Sequence, residues 1–190
     1  MQAIRNLENS PAFAVPFPSD RIGGEFMATQ HQPALSSAPV TVRKARPEDA
    51  QVCGLICYEA FRKISTDHAF PPDFPSVEVA TGVLSMMFAH PRFCCVVAES
   101  EGQIVGSNCL DERSAIAGVG PITINPNAQN QRVGRALMEA VLARAAERKF
   151  PGVRLVQAAF HNRSLSLYAK LGFDAREPLS AMQGAAIKKT

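Results

Sequence analysis

The hexapeptide Gln131-Arg132-Val133-Gly134-Arg135-Ala136 follows an apolar run that ends in Ile122-Thr123-Ile124 and opens an amphipathic segment that reaches about Lys149. This order predicts a strand, a turn and the N-terminus of a helix. The first N–H groups of a helix lack intrahelical partners, and the helix dipole adds partial positive charge there. Gly134 and Ala136 leave room for a close approach, while Arg132 and Arg135 add full charges. The stretch therefore predicts a site for a ligand that carries phosphate.

Strands and helices alternate on both sides of the hexapeptide. Patterns of apolar residues and turn residues predict strands near 40–43, 93–98, 104–110, 117–124, 153–160 and 174–182, and further helices near 46–63, 76–90 and 164–171. The order β α α β β β α β α β predicts an α/β (α+β) fold with a mixed central sheet flanked by helices. A β-α-β crossover lies in its middle.

The length of 190 residues suits one domain with a tail. Residues 1–40 mix Pro, Ser, Gln and Gly without a sustained apolar period, which predicts a flexible N-terminal extension. Residues 41–190 are then the folded domain. Met27 is an alternative start of the chain, and the sequence leaves that choice open.

Composition argues against several classes of partner. The net charge is +3 and the charges are scattered, so neither nucleic acid nor a membrane is expected as a partner. Five cysteines lie in apolar runs with no secretory leader before them, which favours a reducing, cytoplasmic setting. Because their spacings do not match a metal-binding knuckle, we expect buried free thiols and no metal.

The strand before the hexapeptide contains Gly118, Gly120 and Pro121. Proline removes a ladder hydrogen bond and glycine tolerates a bulge, so this strand can separate from the strand near 153–160. The gap would expose backbone donors and acceptors to an extended ligand arm, which could pair there like an extra strand. The alternative is a simple bend at a sheet edge.

A second set of polar residues follows the strand near 153–160, in the stretch Asn162-Arg163-Ser164-Leu165-Ser166-Leu167-Tyr168 and the following Lys170-Leu171-Gly172-Phe173. A tyrosine is protonated at neutral pH and can donate a proton to a leaving group that departs as an anion. The alternative is an ordinary packing role for Tyr168.

Taken together, these stretches resemble the GNAT acetyltransferase superfamily, which transfers acyl groups from acyl-CoA to amines. Gln131-x-x-Gly134-x-Ala136 resembles its pyrophosphate loop, Gly120 to Pro126 resembles the bulged strand before that loop, and Asn162 to Phe173 resembles its downstream segment. The resemblance spans about residues 41–183 and implies a sheet with splayed strands. It departs from the family at the end, where the last strand is short or missing.

The resemblance also implies the cofactor and its binding residues. Acetyl-CoA would be the co-substrate, and no metal is implied. The implied cofactor-binding residues are Ile122, Thr123, Ile124, Gln131, Arg132, Val133, Gly134, Arg135, Ala136, Asn162 and Tyr168. Tyr168 would also donate a proton to the departing thiolate, after direct attack by an amine in a ternary complex.

The general base is less well marked, because residues 120–124 contain no carboxylate. Glu112 is our choice, and Asp111 and His161 are the alternatives. A covalent route through Cys109 is disfavoured because no base for its thiol is evident.

The acceptor stays open between a small-molecule amine and a peptide or protein amine. We expect the first two helices and the loop 65–75 to select it. Without an effective base, the chain would instead be a non-catalytic acyl-CoA-binding sensor or interaction module. An exposed C-terminal sheet edge would favour a homodimer.

Overall fold

The computed structural model of the protein describes residues 2–6, 39–128 and 131–180. The strands are β1 Gln2–Asn6, β2 Thr41–Lys44, β3 Phe93–Ser100, β4 Gln103–Asp111, β5 Ala117–Val119, β6 Thr123–Ile124, β7 Gly152–Val156 and β8 Asp174–Glu177. The helices are α1 Ala50–Asp67, α2 Val77–Ala89, α3 Val133–Glu147 and α4 Asn162–Lys170. None of the helices in these described ranges combines the length and the apolar character that crossing a membrane requires.

The strands form one sheet in the order β2-β3-β4-β5-β7-β1-β8, and β6 pairs with β4 beside that path. Strand pairs in the described residues are antiparallel, except for β5 and β7. That parallel pair is joined through α3, as a crossover connection requires. The mixed sheet flanked by helices confirms the predicted fold class, and the last strand is short, as expected.

The predicted strand 117–124 is divided in two at Gly120 and Pro121. β5 pairs with β4 on one side and with β7 on the other, through Gly118↔Arg154. After Gly120, whose φ is 128°, β6 pairs with β4. Because β6 has no pairing to β7 in the described residues, the two strands diverge. The predicted splay is therefore confirmed.

Two apolar layers cover the sheet. On one face, α1 and α2 pack through buried residues such as Cys53, Cys57 and Leu84 against Cys95 and Val97 of β3. On the other face, α3 and α4 pack against the residues of β3 that alternate with these, Val96 and Ala98. The alternation follows from the opposite directions of successive side chains on a strand.

The five cysteines are free thiols; Cys94 is half-buried and the other four are buried. Burial raises the pKa of Cys53 and of Cys57 to about 12. A hydrogen bond between Cys109 and Cys95, together with burial, raises the pKa of Cys109 further. Such thiols are not nucleophiles at neutral pH.

The N-terminus differs from the sequence-based expectation. Residues 2–6, which were assigned to the flexible extension 1–40, form β1 between β7 and β8. Their register runs from Gln2↔Val156 to Asn6↔Gly152 on β7. The five residues carry a weak strand pattern by themselves, and the hydrogen bonds that hold them come from two strands far along the chain. Residues 7–38, with Met27, lie outside the described residues.

Candidate active site

The hexapeptide forms the start of α3, as predicted. Arg132 takes the N-cap position with a φ of 63° and provides no side-chain cap, and the first hydrogen bond into the helix runs from the Ala136 N–H to the Arg132 carbonyl at 3.1 Å. The amides of Val133, Gly134 and Arg135 precede that bond and have no intrahelical acceptor. This helix end is therefore suited to an anion.

Gly134 brings three elements together. A Cβ at this position would lie 3.0 Å from Ile124 Cδ1 and 3.2 Å from Leu167 Cδ2. Glycine thus allows the first turn of α3 to pack closely against both β6 and α4. The uncapped start of α3, the splayed strand and the helix that carries Tyr168 consequently meet at one point.

The residues of β6 present one edge to β4 and the other edge to the splay. Thr123 is buried, and its hydroxyl lies 3.4 Å from that of Ser107. β4 approaches closely, since a Cβ on Gly106 would lie 2.6 Å from the Thr123 carbonyl oxygen. Ile122 and Ile124 are half-buried. These contacts fix the position of the strand edge that faces the gap.

Tyr168 lies on α4 and is only 5% exposed. It belongs to the apolar cluster on the α3 face, with its ring centroid 6.0 Å from that of Phe173. Burial raises the pKa of the phenol, and a hydrogen bond with the Ser164 side chain acts in the opposite direction. The phenol is therefore protonated at neutral pH, as a proton donor must be.

His161 occupies the N-cap of α4. Its Nδ1 accepts a hydrogen bond from the Ser164 backbone N–H at 3.4 Å, and its Nε2 lies 3.3 Å from the Ser164 hydroxyl. Asn162, to which the cofactor contact was assigned, is the first residue of the helix and is exposed. Sequence reasoning overlooked this cap, although a polar residue three positions before Ser164 is a recognisable signal.

Glu112 is held in ion pairs. Arg144 donates to its carboxylate from Nε at 2.7 Å and from Nη2 at 3.4 Å, and Arg148 Nε lies 3.5 Å away. The Glu112 side chain is 8% exposed and lies on the α3 side of the sheet. The carboxylate of Glu112, our predicted base, is therefore shared between two arginines, which would compete with an acceptor amine for it.

Asp111 faces the other side of the sheet and lines a cavity of about 310 Å³. The cavity is bounded by Met86, Met87, Phe93, Asp111, Arg113, Gly118, Val119 and Gly120, so it reaches the end of β5 where the splay begins. Arg113 donates to the Asp111 carboxylate from Nε and Nη2, each at 2.8 Å. These bonds lower the pKa of Asp111, which keeps it anionic.

The loop between α1 and α2 contacts the connection between β7 and α4. The Phe160 ring stacks on the rings of His68 and Phe70, with centroids 4.6 and 4.5 Å apart. Phe74, also in this loop, instead packs against Phe61 at 5.2 Å. The loop that was expected to select the acceptor thus lies next to His161. Within the described residues, no group of three or more His, Cys, Asp or Glu residues is placed to hold a metal ion.

The fold is a mixed α/β sheet whose strands splay beside an uncapped helix N-terminus. The family model described as the acetyltransferase (GNAT) family matches residues 45–173, and the chain belongs to this family. It is therefore an acetyltransferase by family. No curated protein matches the chain.

Solved structures of known acetyltransferases share this fold. The PaiA N-acetyltransferase of Thermoplasma acidophilum, in complex with coenzyme A, is 14% identical with a TM-score of 0.64, over 74% of this chain and 92% of that one. The ribosomal-protein-S18-alanine N-acetyltransferase of Escherichia coli is 19% identical with a TM-score of 0.57, over 73% and 80%. An aminoglycoside acetyltransferase from an uncultured soil metagenomic sample is 18% identical with a TM-score of 0.55, over 78% and 99%.

Proposed function

We propose that the protein is an acetyl-CoA-dependent N-acetyltransferase that transfers the acetyl group to a primary amine by direct attack in a ternary complex. The observation that carries this proposal is the meeting of three elements at Gly134, where α3 contacts Ile124 of β6 and Leu167 of α4. A phosphate site, a strand edge for an extended arm and a helix with a buried phenol are thereby joined along one gap.

The binding of acetyl-CoA follows from these elements. The amides of Val133, Gly134 and Arg135, which begin an uncapped helix, would hold the pyrophosphate together with Gln131 and the adjoining Arg132 and Ala136. The edge of residues 122–124 that faces the splay would pair with the pantetheine arm. Backbone amides at this edge would also polarise the thioester carbonyl. Asn162, exposed on the first turn of α4, would contact the pantetheine.

Tyr168 would protonate the departing thiolate. Burial keeps its phenol in the acid form, and α4 carries it next to Leu167, which touches the start of α3. A proton supplied to sulfur as the C–S bond breaks lowers the barrier to loss of CoA.

We place the acceptor in the cavity beside Asp111. Met86, Met87 and Phe93 give it an apolar wall, and the Asp111 carboxylate gives it one anionic group. An amine that carries an apolar group fits this lining. Since Arg113 lowers the pKa of Asp111, the carboxylate is better suited to attracting an ammonium ion than to removing its proton.

The experiment is the release of free CoA thiol from acetyl-CoA in the presence of single amines. The panel contains small apolar amines, aminoglycosides and peptides with free N-termini, and mass spectrometry identifies the acetylated atom. Turnover with at least one primary amine supports the proposal. If acetyl-CoA binds by calorimetry and no amine is acetylated, the proposal fails.

A second candidate function is a non-catalytic acyl-CoA-binding sensor. One observation favours it: arginine side chains donate hydrogen bonds to the carboxylates of both Asp111 and Glu112, which are the acidic residues nearest the end of β4. In that case acetyl-CoA would bind tightly while the amine panel gave no thiol.

We further propose that the exposed strand β8, which ends the sheet, pairs with a second copy of the chain. Light scattering at micromolar concentration tests this, and a strictly monomeric mass would contradict it.

A further inference from the structure

The cavity beside Asp111 is built on a row of three residues that lie opposite one another on neighbouring strands. Phe93 of β3 pairs with Asp111 at the end of β4, and Asp111 pairs in turn with Gly118 of β5. Residues that lie directly opposite in a sheet project from the same face. Because Gly118 has no side chain, the β5 side of this row is bare backbone. The Asp111 carboxylate thus lies between an aromatic ring and an open space.

Arg113 forms three hydrogen bonds with this carboxylate. Its backbone N–H and its Nε donate to Oδ1 at 3.0 and 2.8 Å, and its Nη2 donates to Oδ2 at 2.8 Å. A carboxylate can accept about four hydrogen bonds, so one position remains, on Oδ2. Within the part of the chain that the structure describes, Nη1 of Arg113 has no partner. Each member of the pair therefore retains capacity for a ligand group of opposite charge.

Two further contacts fix the position of the Arg113 guanidinium. Its Cζ lies 4.6 Å from the centroid of the Phe93 ring, where the ring face attracts a cation. Arg92 donates from Nη2 to the backbone carbonyls of Glu112 and Arg113, at 2.9 and 2.8 Å, and so anchors the segment that carries the guanidinium. The pair remains accessible, since 26% of the Asp111 side chain and 50% of the Arg113 side chain are exposed.

Both groups are charged at neutral pH. The hydrogen bonds from Arg113 lower the pKa of Asp111, and the same contact raises the pKa of Arg113. A ligand that pairs with both groups needs a cation and an anion only a few bonds apart, as a zwitterion has. A polyamine or an aminoglycoside has cationic groups alone, so it would bring a like charge next to Arg113.

The rest of the cavity is apolar and small. Met86 and Met87 of α2 line it together with the Phe93 ring. Thioether side chains adapt to apolar groups of different shapes. The volume of about 310 Å³ is at the lower end of the range for small-molecule sites, which favours a compact ligand over a peptide.

Gly120 connects the cavity to the splay. It lines the cavity and directly follows β5, at the point where the splay begins. No atom lies within 4 Å of a Cβ built on Gly120, so the backbone is open to a ligand there. An amino group bound to Asp111 would therefore lie next to the expected position of the thioester.

We propose that the acceptor is a free α-amino acid with an apolar side chain, whose carboxylate binds Arg113 and whose amino group binds Asp111. The side chain packs against the two methionines and the Phe93 ring. This inference rests on the proposed N-acetyltransferase function and names the substrate class of the same site. The ammonium group loses one proton to water, and the neutral amine forms the N–C bond as the C–S bond breaks. The second proton lost by nitrogen balances the one taken up by sulfur.

Leucine and leucinamide form a matched pair of acceptors, because they share the amino group and the side chain but only leucine has a carboxylate. We expect kcat/KM for leucine to exceed that for leucinamide roughly ten- to hundredfold, the range for a charge-assisted contact. Serine and aspartate, which lack the apolar side chain, should be poorer acceptors than leucine by about tenfold or more.

Arg113→Gln should abolish the preference for leucine. Its kcat/KM for leucine should fall, its kcat/KM for leucinamide should not, and its KM for acetyl-CoA should be unchanged. The change in preference between proteins is the readout, since the intrinsic reactivities of the two acceptors cancel in it. Arg62→Gln is the matched control and should retain the preference, because Arg62 is an exposed arginine over the Tyr58 ring and lies outside this cavity.

A preference that is absent from the wild type, or that persists in Arg113→Gln, would overturn the inference, and acetylation of other amines would still support the transferase proposal. A binding measurement covers the case in which no amine is acetylated. In NMR of the full chain with CoA, millimolar leucine should shift the methyl signals of Met86 and Met87 in the wild type but not in Arg113→Gln. Such shifts without turnover would contradict the transferase proposal and retain the amino-acid site. Their absence would overturn the inference even if another amine is acetylated.

Discussion

Arg144 donates from Nε to the Glu112 carboxylate at 2.7 Å and joins the residue that follows β4 to the last turn of α3. The pair is partly buried, with 8% of the Glu112 side chain exposed, and a second arginine supports it. Its geometry is that of a structural link between the sheet and the helix whose first turn is the candidate phosphate site. The position of α3, and hence of that site, depends on such contacts.

Glu112→Gln should therefore lower stability more than turnover. Removing one charge leaves Arg144 without its partly buried partner, and we expect a loss of about 1–3 kcal/mol in the free energy of unfolding. Glu147→Gln is the control, because Glu147 pairs with the same arginine but its side chain is 70% exposed. This control should lower the free energy of unfolding by less than about 0.5 kcal/mol. Urea unfolding measures both. A fall in kcat above tenfold in folded Glu112→Gln would restore Glu112 as a base.

Gly134→Val should weaken acetyl-CoA binding. The new side chain would meet Ile124 and Leu167 at or below 3.2 Å and push the first turn of α3 away from β6 and α4. We expect this strain to cost about 1–3 kcal/mol. If half of that cost weakens the binding of acetyl-CoA, Kd measured by calorimetry should rise roughly two- to thirteenfold. Gly82→Ala lies in α2 and has no atom within 4 Å of the new Cβ, so this control should instead stabilise the fold slightly. Unchanged affinity in Gly134→Val would contradict the placement of the site.

Ile4→Pro should destabilise the whole sheet. Ile4 pairs with Arg154 of β7 and with Asp174 of β8, so β1 lies inside the sheet, where proline removes a backbone donor. We expect a loss of about 2–3 kcal/mol, which for a chain of this size lowers Tm by roughly 4–12 °C. Ile4→Val preserves the donor and the strand propensity and serves as the control. Equal Tm values for the two variants would contradict the inserted position of β1.

Asp49→Asn should reduce the sensitivity of the fold to acid. A hydrogen bond from Arg43 lowers the pKa of the buried Asp49, which also accepts from the Arg46 N–H at 2.7 Å. A lowered pKa means that the ion pair stabilises the fold above pH 3.8, the ordinary value, and that this stabilisation is lost as the pH falls through the folded-state pKa.

The free energy of unfolding of the wild type should thus exceed that of Asp49→Asn by about 1–3 kcal/mol at pH 7, and this difference should close below pH 3.8. Asp67→Asn removes an exposed pair with Lys63 and is the control, with little difference at either pH. Denaturant unfolding at pH 7 and at pH 3 measures the gap. A gap that stays constant between the two would show that the charge of Asp49 is not involved.

Tyr168→Phe should lower kcat and leave acetyl-CoA affinity nearly unchanged, because it removes one hydroxyl and preserves the ring that packs near Phe173. Loss of a general acid corresponds to about 10²-fold in kcat. Thiol release gives kcat, and calorimetry gives the affinity. Tyr58→Phe, on α1, is the control and should change neither kcat nor the affinity for acetyl-CoA. Unchanged kcat in Tyr168→Phe would remove Tyr168 from its assigned role.

Much of the fold could be predicted because its signals are local. The turn at Gly120-Pro121 and the start of α3 depend on residues within one or two turns of each other, and both appear where the sequence indicated. Element ends were less accurate: the strand predicted to continue to Phe160 ends at Val156, which lies opposite Gln2 of β1. The start of α4 was also displaced by two residues, because the sequence pattern indicated Ser164 and the helix begins at Asn162.

By itself, the sequence determined the class of fold, the turn that starts α3 and the splayed strand, because backbone propensities act over a few residues. Only the tertiary structure decided that β1 lies between β7 and β8, that arginines of α3 hold Glu112, and that His161 caps α4 in line with Tyr168. These features depend on contacts between residues far apart in the chain. The free energy that stabilises them comes from contacts with residues whose positions no local sequence pattern encodes.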